Sequence, residues 1–152
     1  MTRWTTAALL AVLSLTGLTA CSGDDSPSSV ASKVASAASR AGDAVSSATA
    51  EAGRRFDGIN NGVDAGDDVR LGTPATASDG RTTVEVTAAN RAGSAKSFAV
   101  QVDFTDEAGK LLDAVVVTVR DVPAGGSGKG TARSTHDLSG DVRAKVSRAV
   151  RY

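Results

Sequence analysis

The stretch Phe98-Ala99-Val100-Gln101-Val102-Asp103-Phe104 places an apolar side chain at every second position without a break. Successive side chains of a strand point to opposite faces. This period of two therefore gathers Phe98, Val100, Val102 and Phe104 on one face and turns Gln101 and Asp103 outward. A helix would scatter the same residues around its circumference. The chain around this stretch has to build a sheet with an apolar face, and such a face needs a second layer to cover it.

Further runs from residue 69 onward agree. Residues 82–90 (T-T-V-E-V-T-A-A-N) place Val84, Val86 and Ala88 together. Residues 111–119 (L-L-D-A-V-V-V-T-V) are more continuously apolar and β-branched, as expected for a strand covered on both sides. Residues 131–135 read as another short strand. Turn signals separate the runs at Asp79-Gly80, 90–93, Ala108-Gly109 and 123–128. Residues 141–152 fit two periods: Val142, Ala144 and Val146 alternate, whereas Val142, Val146, Ala149 and Val150 suit a helix. A closing strand is the expectation, because the preceding strands need an antiparallel partner at the sheet edge. About seven short strands over residues 69–152 predict a mostly β domain, a small Ig-like antiparallel β-sandwich. A single cysteine rules out an intramolecular disulfide, so the apolar core must hold the sandwich alone. Phe98 and Phe104 are its largest anchors.

The N-terminus has a different character. Arg3 precedes an apolar run over residues 7–15 (A-A-L-L-A-V-L-S-L), which Ser14, Thr16 and Gly17 cut short of the roughly 20 residues a spanning helix needs. This is the pattern of a cleaved signal. It ends in Leu18-Thr19-Ala20-Cys21, which contains the chain's one cysteine. These residues resemble the lipobox of bacterial lipoproteins, which reads Leu, a small residue, Ala or Gly, then Cys. The resemblance implies diacylglyceryl transfer to the Cys21 thiol and loss of residues 1–20 as a signal peptide. It also implies a lipid anchor on the outer face of the cell membrane. The surplus of Arg over Lys, with abundant Ala and Gly, resembles the proteins of high-GC bacteria such as actinobacteria.

Residues 21–68 read as a tether. The polar Gly/Ser/Pro composition of residues 22–29 suits a flexible spacer. Between residues 30 and 56, Val30, Val34, Ala37, Ala41, Val45, Ala48, Ala52 and Phe56 recur at helical steps. Ser26-Pro27 offers a start signal and Gly58 a stop. Alanine buries little area, and Gly42 costs about 1 kcal/mol relative to Ala. A frayed spacer helix or partial disorder is therefore expected ahead of an association helix. Residues 57–68 are rich in Asp, Asn and Gly and read as a mobile linker. A calcium loop fails on spacing, because Ile59 occupies the second ligand position counted from Asp57.

The order of turns carries a second resemblance. A strand leads into Asn90-Arg91-Ala92-Gly93, and an alternating strand ends in Asp106-Glu107-Ala108-Gly109-Lys110. An apolar strand then meets Val122-Pro123-Ala124-Gly125. This resembles the FxLYD-type Ig-like domain of bacterial extracytoplasmic proteins over residues 69–152. At the place of the namesake motif stands Val102-Asp103-Phe104-Thr105-Asp106, which shares its Asp. The resemblance implies an extracytoplasmic module of binding type and brings no catalytic residues with it.

No stretch supplies a catalytic, metal or cofactor constellation. Residues 125–131 (G-G-S-G-K-G-T) miss the phosphate-loop spacing, since Pro123 falls at the first glycine position and Gly130 where a hydroxyl belongs. They read as a hairpin connection. His136 is the one histidine, too few for a His/Cys metal site, and Ser134, His136 and Asp137 lie too close in sequence for triad geometry. His136 is expected in a solvated loop, and Asp113 on an edge strand or facing outward. A formal net charge of zero argues against nucleic acid as partner. Arg143, Lys145, Arg148 and Arg151 form a small basic stripe, either a solvated strand face or a contact for an anionic partner. The expected protein is a non-enzymatic, membrane-anchored extracytoplasmic lipoprotein whose Ig-like module meets a protein or envelope partner. The alternative is a receptor for a small molecule or anionic wall polymer.

Overall fold

The alternating runs form strands, and their apolar faces meet in one core. The computed structural model describes residues 27–152, with side chains from residue 39 onward. Residues 1–26, which include the expected signal peptide and Cys21, lie outside the described residues. Helix α1 (Pro27–Asp57) is followed by β1 (Val63–Asp64), a 3-10 turn (Gly66–Asp68), β2 (Val69–Leu71), β3 (Ala75–Thr76) and β4 (Thr82–Ala89). The chain closes with β5 (Lys96–Thr105), β6 (Leu111–Val122), β7 (Ser127–Arg133) and β8 (Arg143–Arg151).

One sheet runs β1-β8-β5-β6. In the other, β4 is central, with β7 on one side and β2 and β3 on the opposite side. All pairings are antiparallel, and the two sheets pack as a sandwich. β5 contributes Phe98, Val100, Val102 and Phe104, each 0% exposed, and β4 contributes Val84, Val86 and Ala88. Burying each Phe or Val side chain stabilises the fold by about 1.5–3 kcal/mol.

The glycines of residues 125–131 have a packing role. Gly128 and Gly130 alternate with Lys129 on β7 and face the valines of β6. A Cβ on Gly128 would stand 2.8 Å from both Val119 Cγ1 and Val122 Cγ2, and one on Gly130 would stand 2.8 Å from Val117 Cγ1. Without side chains at these two positions, the edges of the two sheets close against each other.

Residues 141–152 supply a strand, as expected, but it lies inside its sheet between β1 and β5 rather than at the edge. Its mixed periodicity has a cause. Val146 pairs with Val102 and Arg148 with Gln101, so Ser147 is an extra residue in a β-bulge. The bulge lengthens one step of the alternation, and inward-facing Val146 is followed by inward-facing Ala149 three positions on.

The largest departure from expectation is α1. Its bounds match the Ser26-Pro27 and Gly58 signals. Its C-terminal half is part of the domain rather than a frayed spacer. It runs along β6, with Ala52 and Phe56 buried against the outer face of the sheet. Phe56, Ala99 and Val150 form a second small core, joined by Ile59 and Val116. The sheet therefore has apolar cover on both faces, and Asp103, expected to face water, is only 7% exposed. The expected mobile linker is also folded. Val63 and Asp64 pair with β8, Ala65 donates its N–H to Ala149 O at 3.0 Å, and the Ala65 side chain joins the main core. The sandwich thus begins before residue 69.

Candidate functional site

Asp113 interrupts an apolar strand, and its setting explains why. β6 is the outermost strand of its sheet, as expected, but Asp113 points inward and is 0% exposed. A buried carboxylate is tolerated when its lone pairs are filled. Asp113 Oδ1 accepts the N–H of Ala114 at 2.8 Å. Its Oδ2 accepts both the N–H of Thr135, at 2.6 Å, and the Thr135 hydroxyl, at 3.0 Å. The side chain therefore pins the loop after β7 to the edge of the other sheet.

The same loop is tied to β4. Ser134 is buried, and its hydroxyl donates to His136 O at 2.7 Å and accepts the Thr82 N–H at 3.1 Å. Arg81 donates from Nη1 to the carbonyls of Ser134 and Thr135. Both hydrogen-bonding roles of the Ser134 hydroxyl are thus used within the fold. His136 is held rather than freely solvated: its Nδ1 lies 3.2 Å from Thr135 Oγ1 and 3.8 Å from Asp113 Oδ2, with the side chain 38% exposed.

His136 stands at the border of a groove of about 470 Å³ between α1 and β6. The helix wall is made of small residues, Ala44, Ala48 and Ala52, one turn apart. Three consecutive residues of β6, Ala114, Val115 and Val116, face them, with Thr135 and His136 at the end. Val116 packs toward α1 and Val115 toward the main core. Glu51 and Arg55 stand on the helix side of the opening. The Glu51 carboxylate accepts from Arg54 at 2.8 Å and from Arg55 at 3.1 Å. These bonds, Arg54's first, hold its pKa below the usual glutamate range.

The basic stripe divides. Arg151 pairs with Asp68 at 3.3 Å, and Asp68 also holds Arg91 at 3.0 Å. Arg148 stacks on Phe56. Lys145 lies directly across the ladder from Asp103. Among the described residues, Arg143 and Lys145 have no ion-pair partner. Cys21 lies outside the described residues. Asp64, within the segment weighed as a calcium loop, accepts the Gly66 N–H at 3.1 Å. Among the described residues no group of three His, Cys, Asp or Glu side chains is placed to hold a metal ion. No described helix is long and apolar enough to cross a membrane.

The groove was hidden from sequence reasoning because Asp113 and Thr135 are 22 residues apart and the alanines read as a featureless stripe. One signal did exist: a carboxylate inside a β-branched run requires a partner from elsewhere in the chain. No family model, curated protein or solved structure matches the chain.

Proposed function

We propose that the chain is a lipid-anchored extracytoplasmic protein, held to the outer face of the membrane through Cys21, whose β-sandwich makes non-catalytic contacts with a protein or envelope partner. The observation that carries this reading is the position of the one cysteine, at the end of an apolar run and inside Leu18-Thr19-Ala20-Cys21. Two acyl chains on that thiol contribute on the order of 20 kcal/mol of membrane partitioning, at about 0.8 kcal/mol per buried methylene. The resemblance of the turns to FxLYD-type domains supports a contact module.

Membrane fractionation of cells producing wild type and Cys21→Ala tests the anchor. Wild type should sediment with membranes and the variant should not. Equal membrane retention of the two would refute lipidation at this residue.

A further inference from the structure

We propose that the Asn61-Gly62 turn, at the junction of α1 and the sandwich, is a site of spontaneous modification, where the Asn61 amide cyclises and hydrolyses to isoaspartate. The chemistry is intramolecular and needs only water, so it stands apart from the anchor and from any partner.

The fold itself calls for this dipeptide. Asn61 has φ 61°, in the left-handed region, which asparagine tolerates better than most side chains. Gly62 follows because a Cβ there would stand 3.2 Å from Ile59 Cγ2 and 3.3 Å from Val150 Cβ. Ile59 and Val150 both belong to the small core around Phe56. A turn that needs a left-handed residue and then no side chain is served by Asn-Gly. This is also the pair in which ring closure meets least obstruction.

The steps balance with water as the only co-reactant. The Gly62 nitrogen attacks Asn61 Cγ, the Cγ–Nδ2 bond breaks, and the Gly62 amide proton leaves with the departing ammonia. A cyclic imide remains, and water opens it at either carbonyl. Attack at the main-chain carbonyl gives isoaspartate, in which the chain continues through Cγ. Attack at Cγ gives aspartate.

The structure leaves this reaction unhindered. Asn61 and Gly62 are both exposed. Among the described residues, none accepts the Gly62 N–H or engages the Asn61 side-chain amide. Asn90 is the contrast. It is 1% exposed, its Nδ2 donates to Ser94 O and Val122 O at 2.8 Å each, and its Oδ1 accepts the Ala92 N–H at 3.0 Å. Cyclisation there requires those bonds to break. Asn60 is exposed but is followed by Asn61 rather than by glycine.

The product changes the fold where α1 joins it. Isoaspartate adds an extra backbone carbon just before Val63 and Asp64, which pair with Arg151 and Val150. That carbon displaces Gly62 from its close fit against Val150 and loosens α1 from the sheet.

The test is to age the purified full chain at mildly alkaline pH, folded and in urea, and follow each asparagine by peptide mass spectrometry. Electron-based fragmentation distinguishes isoaspartate from aspartate. Rates in urea reflect sequence alone. Folding should slow Asn61 by less than about threefold and Asn90 by at least about a hundredfold, because Asn90 reacts only from the small open fraction. Equal slowing of the two, or product accumulating at Asn60 instead, would overturn the site. Aged protein, freed of unreacted chain by ion exchange, should then melt below Asn61→Asp, which carries the new charge without the extra carbon. Equal melting of the two would overturn the loosening of α1.

Discussion

The guanidinium of Arg148 lies over the ring of Phe56, 4.5 Å from its centroid. One residue belongs to β8 and the other to the last turn of α1, so the contact joins the end of the chain to the helix that precedes the sandwich. It also removes one charge from the basic stripe and places it in packing. A cation over an aromatic face contributes about 0.5–1 kcal/mol at an exposed site.

Phe56→Ala should therefore cost about 3–5 kcal/mol, the usual range for deleting a buried aromatic. Phe56 is 3% exposed and packs with Ala99 and Val150. Urea unfolding followed by circular dichroism reads the change directly. An unchanged midpoint would mean that α1 folds independently of the sheet.

Gly128→Ala should destabilise by about 1–3 kcal/mol through overpacking. Its new methyl would meet Val119 and Val122 at 2.8 Å, and valine has little freedom to yield. Gly93, where an added Cβ meets nothing within 4 Å, provides the control. Thermal melts of both alanine variants should separate them clearly.

Asp113→Ala should cost about 1–3 kcal/mol, because it removes the acceptor of the buried Ala114 N–H and of the Thr135 N–H. The loss should be local as well as global. Amide exchange at Thr135 should accelerate more than exchange within β4, and a uniform change across the chain would contradict the pinning role.

Two exposed carboxyls contribute to the acid dependence. The Arg81 N–H, followed by the Arg133 charge, holds Asp79 below the usual aspartate range, and Arg54 and then Arg55 do the same for Glu51. A folded-state pKa lowered in this way contributes stability that is present above the unfolded value, near pH 4, and is lost as the pH falls through the folded value. Carbon-detected NMR titration should place both midpoints below the ordinary values. Arg54→Gln should raise the Glu51 midpoint further than Arg55→Gln does, and the reverse order would contradict the hydrogen-bonding hierarchy.

The strands that form the core were readable because a period of two survives any detail of packing. Val84, Val86, Phe98, Val100, Val102 and Phe104 are all buried where alternation places them. The packing of α1 was harder to read, since an alanine stripe gives a weak signal, although the continuous apolar run of β6 did predict a strand covered on both sides. Ala99, Val116 and Val150 are the residues that mark the outer face as covered. The Ser147 bulge, which no local pattern announces, made the last strand resemble a helix. The groove depends on residues of α1, β6 and the loop after β7 that only tertiary packing brings together, and no local spacing could reveal it.

The union of α1 with the sandwich changes how far the domain can travel. Five residues, 22–26, separate Cys21 from Pro27, a leash of at most about 18 Å. The helical residues 27–40, which precede the part of α1 beside β6, add about 21 Å as a stiff rod. On the proposed anchor, the domain would patrol a shell only about 40 Å deep, whereas an unstructured leader over residues 22–68 could extend to roughly 160 Å. A partner would have to come to the membrane to be met, and the rod would fix which end of the sandwich it meets first.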